Sequence, residues 1–157
     1  MKPVVVLTTF WNANAIINYG LLSYQINLIT YGINLDGSNF TVNSIALKNP
    51  PLNKLPHLKG ISRLNFFCPS WDILHRYHND NDWDAYTKIY YDILKNNKED
   101  IRGWMGNLKE DHVYFLCCWE NTLKEAHCHR QLVYDALLAS ERATQLMTPV
   151  YKHGDKL

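Results

Sequence analysis

Between Val113 and Arg142 the chain reads as a strand, a polar loop and a helix, and this order most constrains the fold. Val113-Tyr114-Phe115-Leu116-Cys117-Cys118-Trp119 carries few polar residues, as a strand covered on both faces of a sheet does. Arg130 to Arg142 has helix character. The segment Cys117-Cys118-Trp119-Glu120, seven residues, then Cys128-His129-Arg130 joins them. It concentrates thiols, a carboxylate, an imidazole and a guanidinium where a parallel strand hands over to a helix.

The same alternation runs through the chain. Val4 to Thr9 is β-branched and apolar and predicts a buried strand. Trp11 to Gly20 has apolar residues near helical spacing. Gln25 to Tyr31 and Phe40 to Leu47 read as strands around turn chemistry at Asn34 to Asn39. Three prolines make Asn49 to Pro56 a loop. Helices are expected from Ser70, a cap, through Tyr77, from Trp83 to Leu94, and from Lys98 to Leu108. Thr148 to His153 suggests a short last strand. The pattern predicts a single α/β domain over residues 1–157, a layered fold with a largely parallel sheet flanked by helices. At 157 residues, 46% hydrophobic and 20% charged, the chain suits one globular core.

Net charge of +1 gives no general attraction to nucleic acid or acidic lipid. No apolar run reaches a membrane span, and the first residues lack a cleavage site, so a cytoplasmic protein without a membrane partner is expected. Its four cysteines would then stay reduced. Adjacent Cys117 and Cys118 point to opposite faces of a strand, which argues against a disulfide framework. Glycine-rich phosphate loops, Gly-x-Ser-x-Gly and His-Glu-x-x-His are all missing from the sequence, which weighs against the corresponding hydrolase classes.

Three readings of the Cys118–Arg130 segment compete. As an anion site, free N–H groups and the dipole at the helix start attract phosphate, and Arg130 grips it as a clamp. Cys128 is then a nucleophile or ligand contact, Glu120 an acid/base or an orienter of Arg130, and His129 a proton carrier. As a metal site, Cys118, Cys128 and His127 or His129 are suitable zinc ligands, but the spacing matches no standard pattern, and no metal and no cofactor is expected. As packing, Cys118 is a small buried hydrophobe and Glu120 pairs with Arg130. Packing is the favoured reading for Cys117 and Cys118, a ligand site for Cys128-His129-Arg130.

Further ligand-binding candidates are Ser44 and Lys48 after the early strand, and Ser70 and Trp71 at a helix start. Trp71 or Trp119 would stack on a base. His75 and His78 share a helical face and are expected as an exposed polar surface. Arg63 and Arg76 would add a basic rim.

Leu116-x-Cys118-x-Glu120 followed by Cys128-His129-Arg130 resembles the family catalogued as domain of unknown function 488. Cys68-Pro69-Ser70-Trp71-Asp72-Ile73-Leu74, then Trp83-Asp84-Ala85-Tyr86 and Tyr90, looks like that family's middle section. The similarity covers about residues 42–140; the loop after Glu120 looks longer than is usual, and Ile45 to Pro50 stands where many relatives carry an arginine-bearing segment. The resemblance implies a compact α/β fold and a site around the Cys-His-Arg loop. The expected function is binding or processing of a phosphate-bearing ligand, related to nucleotides or nucleic acid, at the Cys128-His129-Arg130 helix start. The alternatives are a non-enzymatic binding or adaptor protein in which the loop is structural, and a zinc-binding protein.

Overall fold

A computed structural model describes residues 1–19, 35, 38–48, 50, 52–58, 60–119 and 127–151. The expected strand at Gln25 to Tyr31, Glu120 and His153 lie outside them. Among the described residues, five strands form one sheet: β1 (Val4–Thr9), β2 (Phe40–Ser44), β3 (Ser62–Arg63), β4 (Val113–Cys118) and β5 (Thr148–Tyr151). Their order is β3-β2-β4-β1-β5, and every pairing is parallel. Six described α-helices flank it: α1 (Phe10–Tyr19), α2 (Trp71–Asp80), α3 (Trp83–Asn96), α4 (Lys98–Gly106), α5 (His129–Ala139) and α6 (Glu141–Leu146). The layered α/β fold with a parallel sheet is therefore established.

β1 and β4 are buried along their whole length. They pair in register from Val4 with Val113 to Thr9 with Cys118. Their near-continuous Val, Leu and Phe content is what a doubly covered central strand requires. Polar chemistry begins where these strands stop. At that end Thr9 Oγ1 accepts from the N–H of Asn12 at 3.1 Å and turns the chain directly into α1.

Three boundaries differ from the sequence reading for identifiable reasons. β2 ends at Ser44 rather than Leu47. There the Ser44 hydroxyl accepts from the N–H of Ala46 at 3.2 Å, and this local bond competes with the sheet ladder. The expected helix from Arg130 to Arg142 breaks at Ser140, which is extended (ψ 114°) and accepts from Ala143 N at 3.2 Å to cap α6. β3 has no signature in the sequence, because its two exposed residues carry no apolar pattern.

The segment between β3 and β4 forms the wall beside the sheet's carboxyl end. Ser70 caps α2 by accepting from Ile73 N at 3.3 Å, and Asp82 caps α3 by accepting from Ala85 N at 3.1 Å. Tyr90 of α3, with no exposed surface, donates its hydroxyl to the Phe67 carbonyl at 2.7 Å. That bond ties α3 to the short helical turn Asn65–Phe67 that precedes Cys68-Pro69-Ser70. Removing the hydroxyl strands a buried carbonyl, so Tyr90→Phe should lower stability by about 1–3 kcal/mol. Urea unfolding of the two proteins measures this; equal midpoints would show that the bond contributes nothing.

Candidate functional site

Strand β4 delivers Cys118 at its last residue, and α5 opens with His129 and Arg130 directly after Cys128 at its N-cap. The two thiols meet although nine residues separate them in the chain. Cys118 Sγ and Cys128 Sγ are 2.9 Å apart, close enough for one sulfur to donate a proton to the other. Cys118, expected as strand packing, is therefore part of the cluster. Cys117, its neighbour, has no exposed surface, and burial pushes its thiol well up, so it stays an inert packing residue.

Arg130 is the largest fully buried side chain among the described residues. Its Nη1 donates to Cys118 Sγ at 2.9 Å and to Cys128 Sγ at 3.6 Å. The ring of Tyr151 lies 5.8 Å from its Cζ. Burial alone would loosen its proton. The sulfurs of Cys118 and Cys128, and then Tyr151, more than offset this and hold the guanidinium protonated, above the ordinary arginine range. A buried cation is tolerated only with a counter-charge. The two sulfurs both accept from the guanidinium and are its compensating partners.

His129 completes the cluster. Its Nε2 is 2.7 Å from the carbonyl oxygen of Ile45, which accepts only, so Nε2 carries a proton. In the neutral ring that leaves the lone pair on Nδ1, 3.8 Å from Cys128 Sγ. The carbonyl is held in turn, because Ile45 N donates to Cys117 O at 2.9 Å and Ser44 shapes the turn that follows. Tyr90 packs edge-on against the imidazole, 5.6 Å between centroids. The Ile45 carbonyl and Tyr90 thus hold the imidazole with Nδ1 toward the Cys128 sulfur.

The ligating atoms of Cys118, Cys128 and His129 all lie within 4.8 Å of one another. Two sulfurs on a tetrahedral zinc stand roughly 3.8 Å apart, given Zn–S bonds of about 2.3 Å. At 2.9 Å this pair is too close, and the guanidinium already occupies the cation's place beside it. The cluster fits a buried arginine better than a zinc ion.

Above it opens a cleft of two adjoining cavities that share Leu74, His78 and His129. One, about 300 Å³, is lined by Lys48, Trp71, His75, His78, Trp119 and His129 among others. The other, about 240 Å³, reaches Cys128 past Tyr77, Trp83, Tyr86 and His127. Lys48 Nζ sits 5.9 Å over the ring of Trp71, which is 60% exposed. Trp119 Nε1 donates to the Lys48 carbonyl at 3.0 Å, fixing that loop across the cleft. Trp83 stacks on Tyr86 at 4.8 Å and on His127 at 4.5 Å.

The structure brings Cys128, His129, Arg130, Lys48 and Trp71 to this end of the sheet. Ser44 is buried with its hydroxyl turned to Ala46, and Ser70 spends its hydroxyl on the α2 cap. Glu120 lies outside the described residues. Sequence reading placed His75 and His78 on an exposed face; they are exposed and also line the cleft. Arg63 donates to the Leu47 carbonyl at 2.9 Å and braces the same loop as Lys48.

A parallel α/β domain with a cysteine–histidine–arginine cluster beyond its central strands defines the class. The family model described as DUF488-N3a, "Active DUF488-N3 subclade", matches residues 61–141. That span is just over half of the chain and includes β4 and all of α5, and the protein belongs to the DUF488 family. No curated protein and no solved structure matches it.

The four cysteines should separate cleanly in reactivity. Burial raises the Cys68 thiol to about 11, with Arg63 opposing weakly, so at neutral pH it is protonated and a poor nucleophile. Iodoacetamide should label Cys128 first and leave Cys68 and Cys117 unmodified in the folded protein. Arg130→Met should slow that labelling by roughly one to two orders of magnitude, the range a close opposite charge produces. Peptide mapping by mass spectrometry, with circular dichroism to confirm folding, checks both; Cys68 labelled before Cys128 would refute the ordering.

Proposed function

We propose that the protein binds a nucleotide-class, phosphate-bearing ligand in the cleft over His129 and acts on it through Cys128. The observation that carries this is the meeting of two chemistries in one cleft. Lys48, His75 and His78 offer cationic and hydrogen-bonding groups beside the flat faces of Trp71 and Trp119. Cys128 with its histidine opens into the adjoining cavity. A base stacks on a tryptophan irrespective of its identity, and a phosphate seeks the cations.

In this reading Arg130 grips no ligand oxygen. Its guanidinium faces sulfur and favours the anionic form of the thiol pair, which is the nucleophilic one. His129 Nδ1 takes the Cys128 proton as the sulfur attacks an electrophilic centre of the ligand, and returns it to the leaving group. His129 therefore remains the proton carrier and Cys128 the nucleophile.

The test is tryptophan fluorescence and calorimetric titration of the reduced chain with adenosine monophosphate, adenosine and inorganic phosphate. The monophosphate should bind more tightly than either fragment. Trp71→Ala should cost about 1–3 kcal/mol of that affinity, the worth of one stacked base. Cys128→Ser should keep binding and lose any turnover. A folded, reduced protein that binds none of the three overturns the proposal.

A further inference from the structure

The contact between Cys118 and Cys128 does more than a single nucleophile needs. A nucleophilic cysteine requires a base and a stabilising charge, and His129 and Arg130 supply both. A second thiol at 2.9 Å adds a different capability. A disulfide holds its sulfurs about 2.05 Å apart, so this pair must close by less than about 1 Å. We propose that the cluster is a peroxide-responsive thiol pair, in which Cys128 is oxidised first and Cys118 resolves it to an intramolecular disulfide. This goes beyond the ligand reading and does not depend on which ligand the cleft takes.

The roles follow from access. Cys128 lines the 240 Å³ cavity, whereas Cys118 has no exposed surface and is absent from the lining. A small hydroperoxide therefore reaches Cys128 and not Cys118. The Cys128 thiolate attacks one peroxide oxygen, the O–O bond breaks, and Cys128 becomes a sulfenic acid. The departing oxygen takes a proton and leaves as water, or as an alcohol from an organic hydroperoxide. Cys118 sulfur then attacks the Cys128 sulfur, the S–O bond breaks, and the hydroxide leaves as a second water with the Cys118 proton. Two thiols are oxidised to one disulfide and one peroxide is reduced. A small dithiol reverses the step by thiol–disulfide exchange.

Arg130 touches both sulfurs and so acts on both half-steps, stabilising thiolate at the attacking atom each time. While the disulfide persists, Cys128 has no nucleophilic sulfur. The site is switched off reversibly, and the resolving thiol protects Cys128 from over-oxidation to sulfinic acid. Cys68 and Cys117 stay outside the exchange; Cys68 donates instead to the carbonyls of Ala46 at 3.6 Å and Leu64 at 3.5 Å.

The experiment treats the reduced full chain with a small excess of hydrogen peroxide and counts thiols after denaturation. Two of the four thiols should disappear, and non-reducing digestion should yield one peptide pair linked through Cys118 and Cys128. Dithiothreitol should restore both. Cys118→Ser should instead accumulate a sulfenic acid at Cys128, trapped by dimedone. Where that variant does not fold, the wild-type peptide map decides alone. Cys118 and Cys128 remaining thiols after peroxide treatment of the folded chain overturns the proposal. So does Cys128 passing to sulfinic acid while Cys118 stays reduced.

Discussion

The buried guanidinium of Arg130 against two sulfurs is the interaction on which the rest of the site depends. A full positive charge with no exposed surface costs several kcal/mol unless anionic partners and hydrogen bonds compensate it. Cys118 and Cys128 provide that compensation, at 2.9 and 3.6 Å from Nη1. The arginine in return holds the two sulfurs on one side of its guanidinium, 2.9 Å from each other. Neither cysteine would be chemically notable without it.

The sheet makes the arrangement possible. Ligand sites of parallel sheets lie beyond the carboxyl ends of the strands, and three adjacent ends each contribute something different here. β4 ends on Cys118, the turn after β2 presents the Ile45 carbonyl that fixes His129, and Thr9 at the end of β1 turns the chain out of the way into α1. α5 packs against β1, β4 and β5, which brings its first turn over the gap between them. The α2 and α3 helices supply the cleft walls, and Tyr90 is both their anchor to Phe67 and the packing partner of His129.

Much of this was legible in the sequence. The uninterrupted apolar character of Val4–Thr9 and Val113–Cys118 identifies central parallel strands, and Cys128-His129-Arg130 stands at a helix start as the sequence suggests. What the sequence hid was direction. Arg130 reads as a ligand clamp because an arginine at a helix start usually faces solvent; the fold turns it inward to sulfur, a contact made across twelve residues. Cys118 reads as packing because alternation along a strand says which face a side chain takes and not what awaits it there. His75 and His78 carry the periodicity of an exposed surface, and only the position of α2 makes that surface a cleft wall. Ser44 and Ser70 look like ligand hydroxyls, yet local backbone N–H groups claim both.

The charge state of the sulfur pair tests the account most directly. Thiolate absorbs in the ultraviolet where thiol does not, so the reduced native protein at neutral pH can be compared with the same protein unfolded at the same pH. A native excess equivalent to one thiolate is expected, lost on unfolding and missing from a folded Cys118→Ser/Cys128→Ser variant. Equal absorbance in the native and unfolded states would mean that both sulfurs are protonated beside Arg130. The cluster would then be neutral packing around a buried arginine rather than a reactive centre.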